Sequence, residues 1–378
     1  MIRPAHLRAF LVVLCCTPGW LPSARALLNL DGTRNQVFVF GSCSFAYNSN
    51  IFADASGRGD YSSTAVAGIE LKRRAGIIAV NATTRFTYQL FNKYTGQDAL
   101  DPNFTIEFIK TTGRLTGSLQ VRAYRESRSD SAVNLRTNSW NFPVTLSLKY
   151  PVNDKLYVTS DSDFLHQRYT QTNVLANLTE YSESVDVFYV YTSKLDLSGG
   201  YRLRISNVTL GRNSTDHWFN LGATGGLLAK LSGTVRIGYQ LRETTGRNAE
   251  SFTHVNAMAG LTWPMTRKLS LAGQLSRDFN TIATGSTVDA TAGSVTATYA
   301  VNRKISLNTT VTGGLNKFLG LASGRREDEF FSWDLGANYR FNEHLSIAAS
   351  YTYLRNWSSL AYSEFTRQGY NLDFSSRF

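Results

Sequence analysis

The sequence predicts an all-β protein: a transmembrane antiparallel β-barrel of about eighteen strands, with sixteen as the alternative count. Three observations predict it. Segments of strict apolar/polar alternation recur along nearly the whole chain, short basic or polar turns separate them at regular spacing, and aromatic residues gather toward segment ends. An alternating strand has one greasy face and one polar face, so a closed sheet of such strands divides lipid from water.

The chain opens with Arg3, His6 and Arg8, then the short apolar run Ala9–Cys16, then Ala24-Arg25-Ala26 as a small-x-small cleavage site. That is the pattern of a secretory signal, so the expected division is 1–26 signal peptide and 27–378 barrel. Cys15 and Cys16 follow Leu and Cys where a lipoprotein signal needs a small residue. No later segment approaches the ~18 consecutive apolar residues of a membrane helix. A closed barrel is then the remaining way to satisfy every backbone group in lipid.

The first strand is expected near Gln36–Tyr47 and the last over Thr366–Phe378. Between them, Ile78, Val80, Ala82, Thr84, Phe86, Tyr88 and Leu90 oppose Ala79, Asn81, Thr83, Arg85, Thr87 and Gln89. The same alternation runs through 115–124, 140–150, 197–206 and 331–341. Eight short turns recur, among them Lys72–Gly76, Val152–Lys155 and Val301–Lys304. They give sixteen strands plus one at each terminus. An even count leaves both termini on the periplasmic side with the short turns. Polar segments such as Asn92–Asp101, Ser127–Thr137 and Lys317–Asp328 become extracellular loops of about 10–13 residues, the asymmetry such barrels show. Pro143 interrupts an otherwise clean strand and predicts a bulge. Leu156–Gln167 has a blurred apolar face, and Tyr181–Thr192 reads in either phase.

Composition agrees. The chain has 19 Tyr and 22 Phe, clustered as Trp140 with Tyr150 or Trp333 with Tyr339, and small aliphatics fill strand middles. Aromatic girdles around an aliphatic band mark the two bilayer interfaces. The formal charge is +11; Arg3, Arg8 and Arg25 fall in the signal, which leaves +8 on the mature chain. For an exported chain this points to anionic solutes, acidic polymers or lipopolysaccharide phosphates, and not to nucleic acid. Cys43 is the lone cysteine after cleavage and reads as a small wall residue.

No catalytic, metal or cofactor pattern appears. The five histidines are scattered, and neither G-x-S-x-G nor H-E-x-x-H is present. His254, Asn256 and Ser251 at one hairpin mouth read as an ordinary rim, so no enzyme is expected. Functional content is expected on the lumen wall. Its inward positions carry Arg85, Arg122, Lys149, Arg202, Arg204, Arg236, Arg242 and Arg340, with Glu70, Asp161, Asp163, Asp186, Asp334 and Asp373. Cross-strand pairing that stiffens the wall is one reading; a positive field favouring anions is the other. Arg202, Arg204, Arg236 and Arg242 are expected to form a basic stripe with no inward acid between them. No extracellular segment looks long enough to fold into the pore, which predicts a wide lumen or one plugged or threaded by something else.

The stretch Tyr47-Asn48-Ser49-Asn50-Ile51-Phe52, with the closing Asn371-Leu372-Asp373-Phe374-Ser375-Ser376-Arg377-Phe378, resembles the putative β-barrel porin 2 group. That group includes barrels encoded with exopolysaccharide export systems. The resemblance implies the outer membrane of a Gram-negative bacterium, with lipid and lipopolysaccharide around the barrel. It also implies assembly by the barrel-assembly machinery, with Phe378 as the insertion signal. It further implies a channel for export or passage of a polysaccharide or other anionic solute, working with a periplasmic polysaccharide-export protein. A general diffusion porin with mild anion preference, or a structural barrel sheathing a partner protein, are the alternatives.

Overall fold

The computed structural model describes residues 28–30, 34–74, 76–171, 175–246, 249–320 and 325–378. The expected signal peptide, 1–26, lies outside them. A short strand β1 (Leu28–Leu30) precedes β2 (Asn35–Asn48), β3 (Asp60–Arg73), β4 (Ala79–Phe91), β5 (Ala99–Lys110) and β6 (Thr116–Asp130). Then come β7 (Leu135–Pro151), β8 (Leu156–Tyr169), β9 (Leu178–Thr192), β10 (Leu195–Val208), β11 (Ser214–Gly226) and β12 (Ser232–Thr244). The chain continues through β13 (Ser251–Pro264), β14 (Leu269–Thr281), β15 (Thr287–Ala300) and β16 (Ile305–Leu319). It finishes with β17 (Arg326–Arg340), β18 (Leu345–Ser358) and β19 (Phe365–Arg377). No helix among the described residues is long and apolar enough to cross a membrane.

Each strand from β2 onward pairs antiparallel with the next, and β19 returns to β2, from Gly369 opposite Asn48 to Arg377 opposite Phe40. The result is a closed barrel of eighteen strands. Closure removes the free edges that an open sheet would expose to lipid. The seam ends on the last residue: Val39 N–H donates to the Phe378 carbonyl (2.8 Å) and Phe378 N–H donates to that of Val39 (2.9 Å). Just below, β1 pairs with β2, Leu28 opposite Val37, and continues the line of β19 along the same edge.

Alternation sorts the side chains as the sequence implies. In β12, Val235, Ile237 and Tyr239 are exposed on the outer surface, while Gln240 and Arg242 are fully buried inside. In β9, Tyr181, Val185, Val187 and Tyr189 face outward, while Asp186 and Phe188 are buried within, so the ambiguous strand takes one phase. Glu183 is an exception on that outward face. Its carboxylate accepts hydrogen bonds from Ser160 (2.7 Å), Ser162 and Tyr181 (3.2 Å).

Two expectations about the strands need correction. Pro143 makes no bulge: the β6–β7 ladder pairs Val121 with Val144 and resumes at Tyr124 with Asn141 in unchanged register. Proline removes a donor and costs local rungs, but intact ladder above and below pins the register. The extracellular connections are also shorter than expected, from 4 residues (131–134) to 11 (49–59), against 2 to 5 for the turns at the other rim. The strands absorb the difference. They run from 12 residues in β5 to 17 in β7, beyond the ~9–11 that cross a bilayer.

Face assignment is directly testable. Leu146→Arg puts a charge on the lipid face and should cost about 2–4 kcal/mol. Ser147→Arg points inward, opposite Asp161, and should refold in near-normal yield. Denaturant unfolding in detergent compares the two; equal effects would mean that the strand phase is wrong.

Candidate functional site in the lumen and its mouth

All eight cations expected in the lumen occupy inward positions of the register, but they fall into two groups. Arg202, Arg204, Arg236 and Arg242 are not a bare stripe. Asp216 on β11 stands between β10 and β12, with Oδ2 2.6 Å from Arg204 Nε and Oδ1 2.5 Å from Arg242 Nε. Asp278 on β14 lies 2.8 Å from Arg202 and 3.1 Å from Arg204, and Asp186 on β9 lies 2.9 Å from Arg236. Arg242 has no exposed surface at all. Charges so far from water persist only when paired. Asp216 was legible in principle, since it alternates with Trp218 and Asn220. Asp278 was not, because its strand lies four positions round the wall from β10.

That distance is bridged by a departure from the barrel. The β13–β14 ladder runs from Pro264 opposite Ser270 only to Ala257 opposite Arg277. Beyond it, β14 stays paired to β15 up to Thr281 opposite Thr287, while β13 keeps only β12 on its other side. The freed β14–β15 tip is tucked inside, over the inner surface of β10–β13. Phe279 is buried there with its ring stacked 3.9 Å from His254, and its carbonyl accepts from Arg204. Arg242 reaches Thr281 (3.4 Å) and Thr287 (3.5 Å). At the tip, Ala176 N–H donates to Ala283 C=O (2.7 Å). Gly285 and Gly211 meet backbone to backbone, both with positive φ, and a Cβ on Gly285 would stand 1.9 Å from the Leu210 carbonyl. Only glycine fits that approach.

The rim histidine belongs to this tuck. His254 Nδ1 lies 3.0 Å from Asp289 and Nε2 3.0 Å from Gln240, which also accepts from Asn256 (2.7 Å). Ser251 sits in the outward phase opposite Glu243, so the three residues do not converge. No cluster able to hold a metal ion occurs among the described residues.

A second hairpin tip leans over the mouth from the opposite side. The β6–β7 tip reaches β17, where Arg326 donates to the carbonyls of Ala132 (2.7 Å) and Ser131 (3.2 Å). Asn134 takes a left-handed φ of 55, which Asn tolerates best among residues with a Cβ. It donates to Ala53 C=O (2.8 Å) and accepts from Ser363 (2.6 Å). The two tips meet at Tyr169, Leu175 and Ala283, against which Val133 packs. Both tips lean over the mouth and roof it, which corrects the expectation that no extracellular segment folds into the pore. The 47–52 motif has a place in the roof. Buried Asn50 donates to Asp54 C=O (2.6 Å) and fixes the β2–β3 loop, whose Ala55 N–H reaches Tyr362 C=O (3.2 Å).

The second group of cations lies in the rest of the lumen and makes no ion pair among the described residues. Arg122 covers Tyr124 (4.8 Å) and Lys149 covers Tyr157 (3.8 Å). Arg85 and Arg340 line a cavity of about 530 Å³ near the short-turn rim, with Phe40, Glu70, His344 and Arg377.

An eighteen-stranded closed barrel with a greasy exterior, a charged interior and a roof of inward hairpins is a porin-like outer-membrane barrel. The chain belongs to the putative beta-barrel porin 2 family, whose model matches residues 41–378. No curated protein matches it by sequence. Among solved structures it is similar to OccK2 (OpdF) of Pseudomonas aeruginosa, solved in complex with glucuronate, with a TM-score of 0.53 at 8% identity; 92% of this chain and 98% of that one are covered. It is also similar to OpdQ of the same organism, with a TM-score of 0.50 at 11% identity, covering 91% and 98%. Against the FrpB iron transporter of Neisseria meningitidis the TM-score is 0.49 at 10% identity; 84% of this chain aligns, but only 62% of that chain. These likenesses concern the fold.

The buried arginines give a stability prediction. Asp216→Asn would leave Arg204 and Arg242 short of their shared carboxylate and should cost about 3–5 kcal/mol. Lys149→Gln, which breaks no ion pair, should stay within about 0.5 kcal/mol. Urea unfolding of the refolded barrels measures both.

Proposed function

We propose that this protein is an outer-membrane channel for anionic solutes, with passage or export of an acidic polysaccharide as its most specific form. The observation that carries this is the division of the lumen cations. Arg202, Arg204, Arg236 and Arg242 are spent on holding the tucked hairpin and its wall. Arg85, Arg122, Lys149 and Arg340 make no ion pair among the described residues on the inner surface, although Asp373 acts on Arg85 electrostatically. Such residues favour anions because they compensate an entering negative group for lost hydration. The field is screened over about 8–10 Å near physiological salt. Asp161 and Asp163 face the lumen beside Lys149 and act against it, so the bias is mild.

Residues 1–26 direct secretion in this reading and are cleaved near Ala26. Phe378 acts as the insertion signal read by the barrel-assembly machinery. Lipopolysaccharide surrounds the loop-side girdle, and a periplasmic polysaccharide-export protein would dock at the short-turn rim. A sheath around a folded partner fits less well, since it needs a bore open at both ends.

Reversal potentials across a salt gradient in planar bilayers test the reading. The wild-type barrel should show mild anion preference. Changing Arg85, Arg122, Lys149 and Arg340 together to Gln should abolish it, and Asp161→Asn with Asp163→Asn should increase it. A cation-selective wild-type channel would overturn the assignment.

A further inference from the structure

The tucked β14–β15 tip has a second seat available. β13 offers residues 251–256 with no strand on one side, and the β13–β14 register is already set by Ala257 opposite Arg277. Continuing that register would put Asp278 opposite Asn256, Phe279 opposite Val255, Asn280 opposite His254 and Thr281 opposite Thr253. The β14 side chains would then keep their parity, and Asp289, opposite Phe279, would turn outward together with its ion-pair partner Arg277. Phe279 would join exposed Val255 on the lipid surface, while Asp278 and Asn280 would face the lumen. We propose that residues 278–288 are a gate that moves between the tucked seat, where it roofs the bore, and a zipped seat, where it completes the barrel wall and opens the mouth. The inference rests on the channel reading for its consequence but not for the motion itself.

The two seats are matched in kind. Tucking buries Phe279 and pairs Asp278 with Arg202 and Arg204. Zipping gives up those contacts and forms the missing ladder hydrogen bonds along 253–256. Arg204 and Arg242 keep Asp216 in either seat, so among the arginines only Arg202 loses its carboxylate, while His254 gives up Asp289. Asp278 is therefore the carboxylate that latches the arginines, with His254–Asp289 beside it. Interiors with two discrete packings switch between them and do not deform continuously. A polyanion entering the lumen would compete with Asp278 for Arg202, which couples cargo to opening.

Cysteine pairs distinguish the seats. Thr253 lies in the outward phase of β13 while Thr281 lies inside the wall against Arg242, so Thr253→Cys with Thr281→Cys can bridge only when zipped. Ala176→Cys with Ala283→Cys should bridge only when tucked, where their backbones share a hydrogen bond. Both disulfides should form in the refolded, oxidised barrels, read by mass spectrometry without reference to conductance. The zipped disulfide should raise single-channel conductance several-fold over its reduced form, and the tucked one should hold it low. Adding Asp278→Asn should speed the zipped cross-link several-fold. If the Ala176/Ala283 pair bridges while the Thr253/Thr281 pair never does, the tip is fixed and the gate is wrong. An unchanged cross-linking rate in the Asp278→Asn background would also overturn it. Both cross-links forming in a barrel that passes no ions would uphold the motion and sink the channel reading instead.

Discussion

Every amide that crosses lipid must bond to a neighbouring strand, because the hydrocarbon offers nothing else. That constraint is met here by the contact of β19 with β2, where the last residue bonds back to Val39. Once the seam is closed, the pleat does the rest. Odd positions of β9 to β13 can face only lipid and even positions only the lumen, so side-chain chemistry is distributed by parity. The same constraint explains why the one large departure from the wall occurs where it does. At the extracellular end of β13 the strands are longer than a bilayer requires, and water can solvate an edge left open.

The interior is not one electrostatic environment. On the β9–β14 side, Asp186, Asp216 and Asp278 pair with four arginines at distances between 2.5 and 3.1 Å, and that side serves as architecture. Elsewhere Arg85, Arg122, Lys149 and Arg340 make no ion pair among the described residues, with Asp373 acting on Arg85 and Asp161 and Asp163 beside Lys149. A basic wall counted from composition alone overstates the field, because three of the eight positive charges in question are already cancelled locally.

What could be read from the sequence was whatever depends on period two. The barrel and the inward phase of the eight lumen cations follow from alternation, and eighteen strands, with sixteen as the alternative, from counting short turns; Tyr181–Thr192 was ambiguous because Phe188 lies on its inner face and Glu183 on its outer one. What could not be read was tertiary. Asp278 reaches Arg202 only because β14 abandons β13, and no local pattern in residues 277–289 announces this. His254 looks like a rim residue until Phe279 is found beneath it. Pro143 suggested a bulge by the usual rule, yet its neighbours held the register.

The short connections and the two inward tips also decide what the protein shows to the outside world. Its outer face is assembled from pieces far apart in sequence: Asn134 against Ala53 and Ser363, Ala176 against Ala283, Arg326 against Ala132. An antibody or phage fibre approaching the cell meets these contacts and not a single stretch of chain. Together they form a discontinuous epitope that exists only while the roof is in place, so such a binder would report conformation.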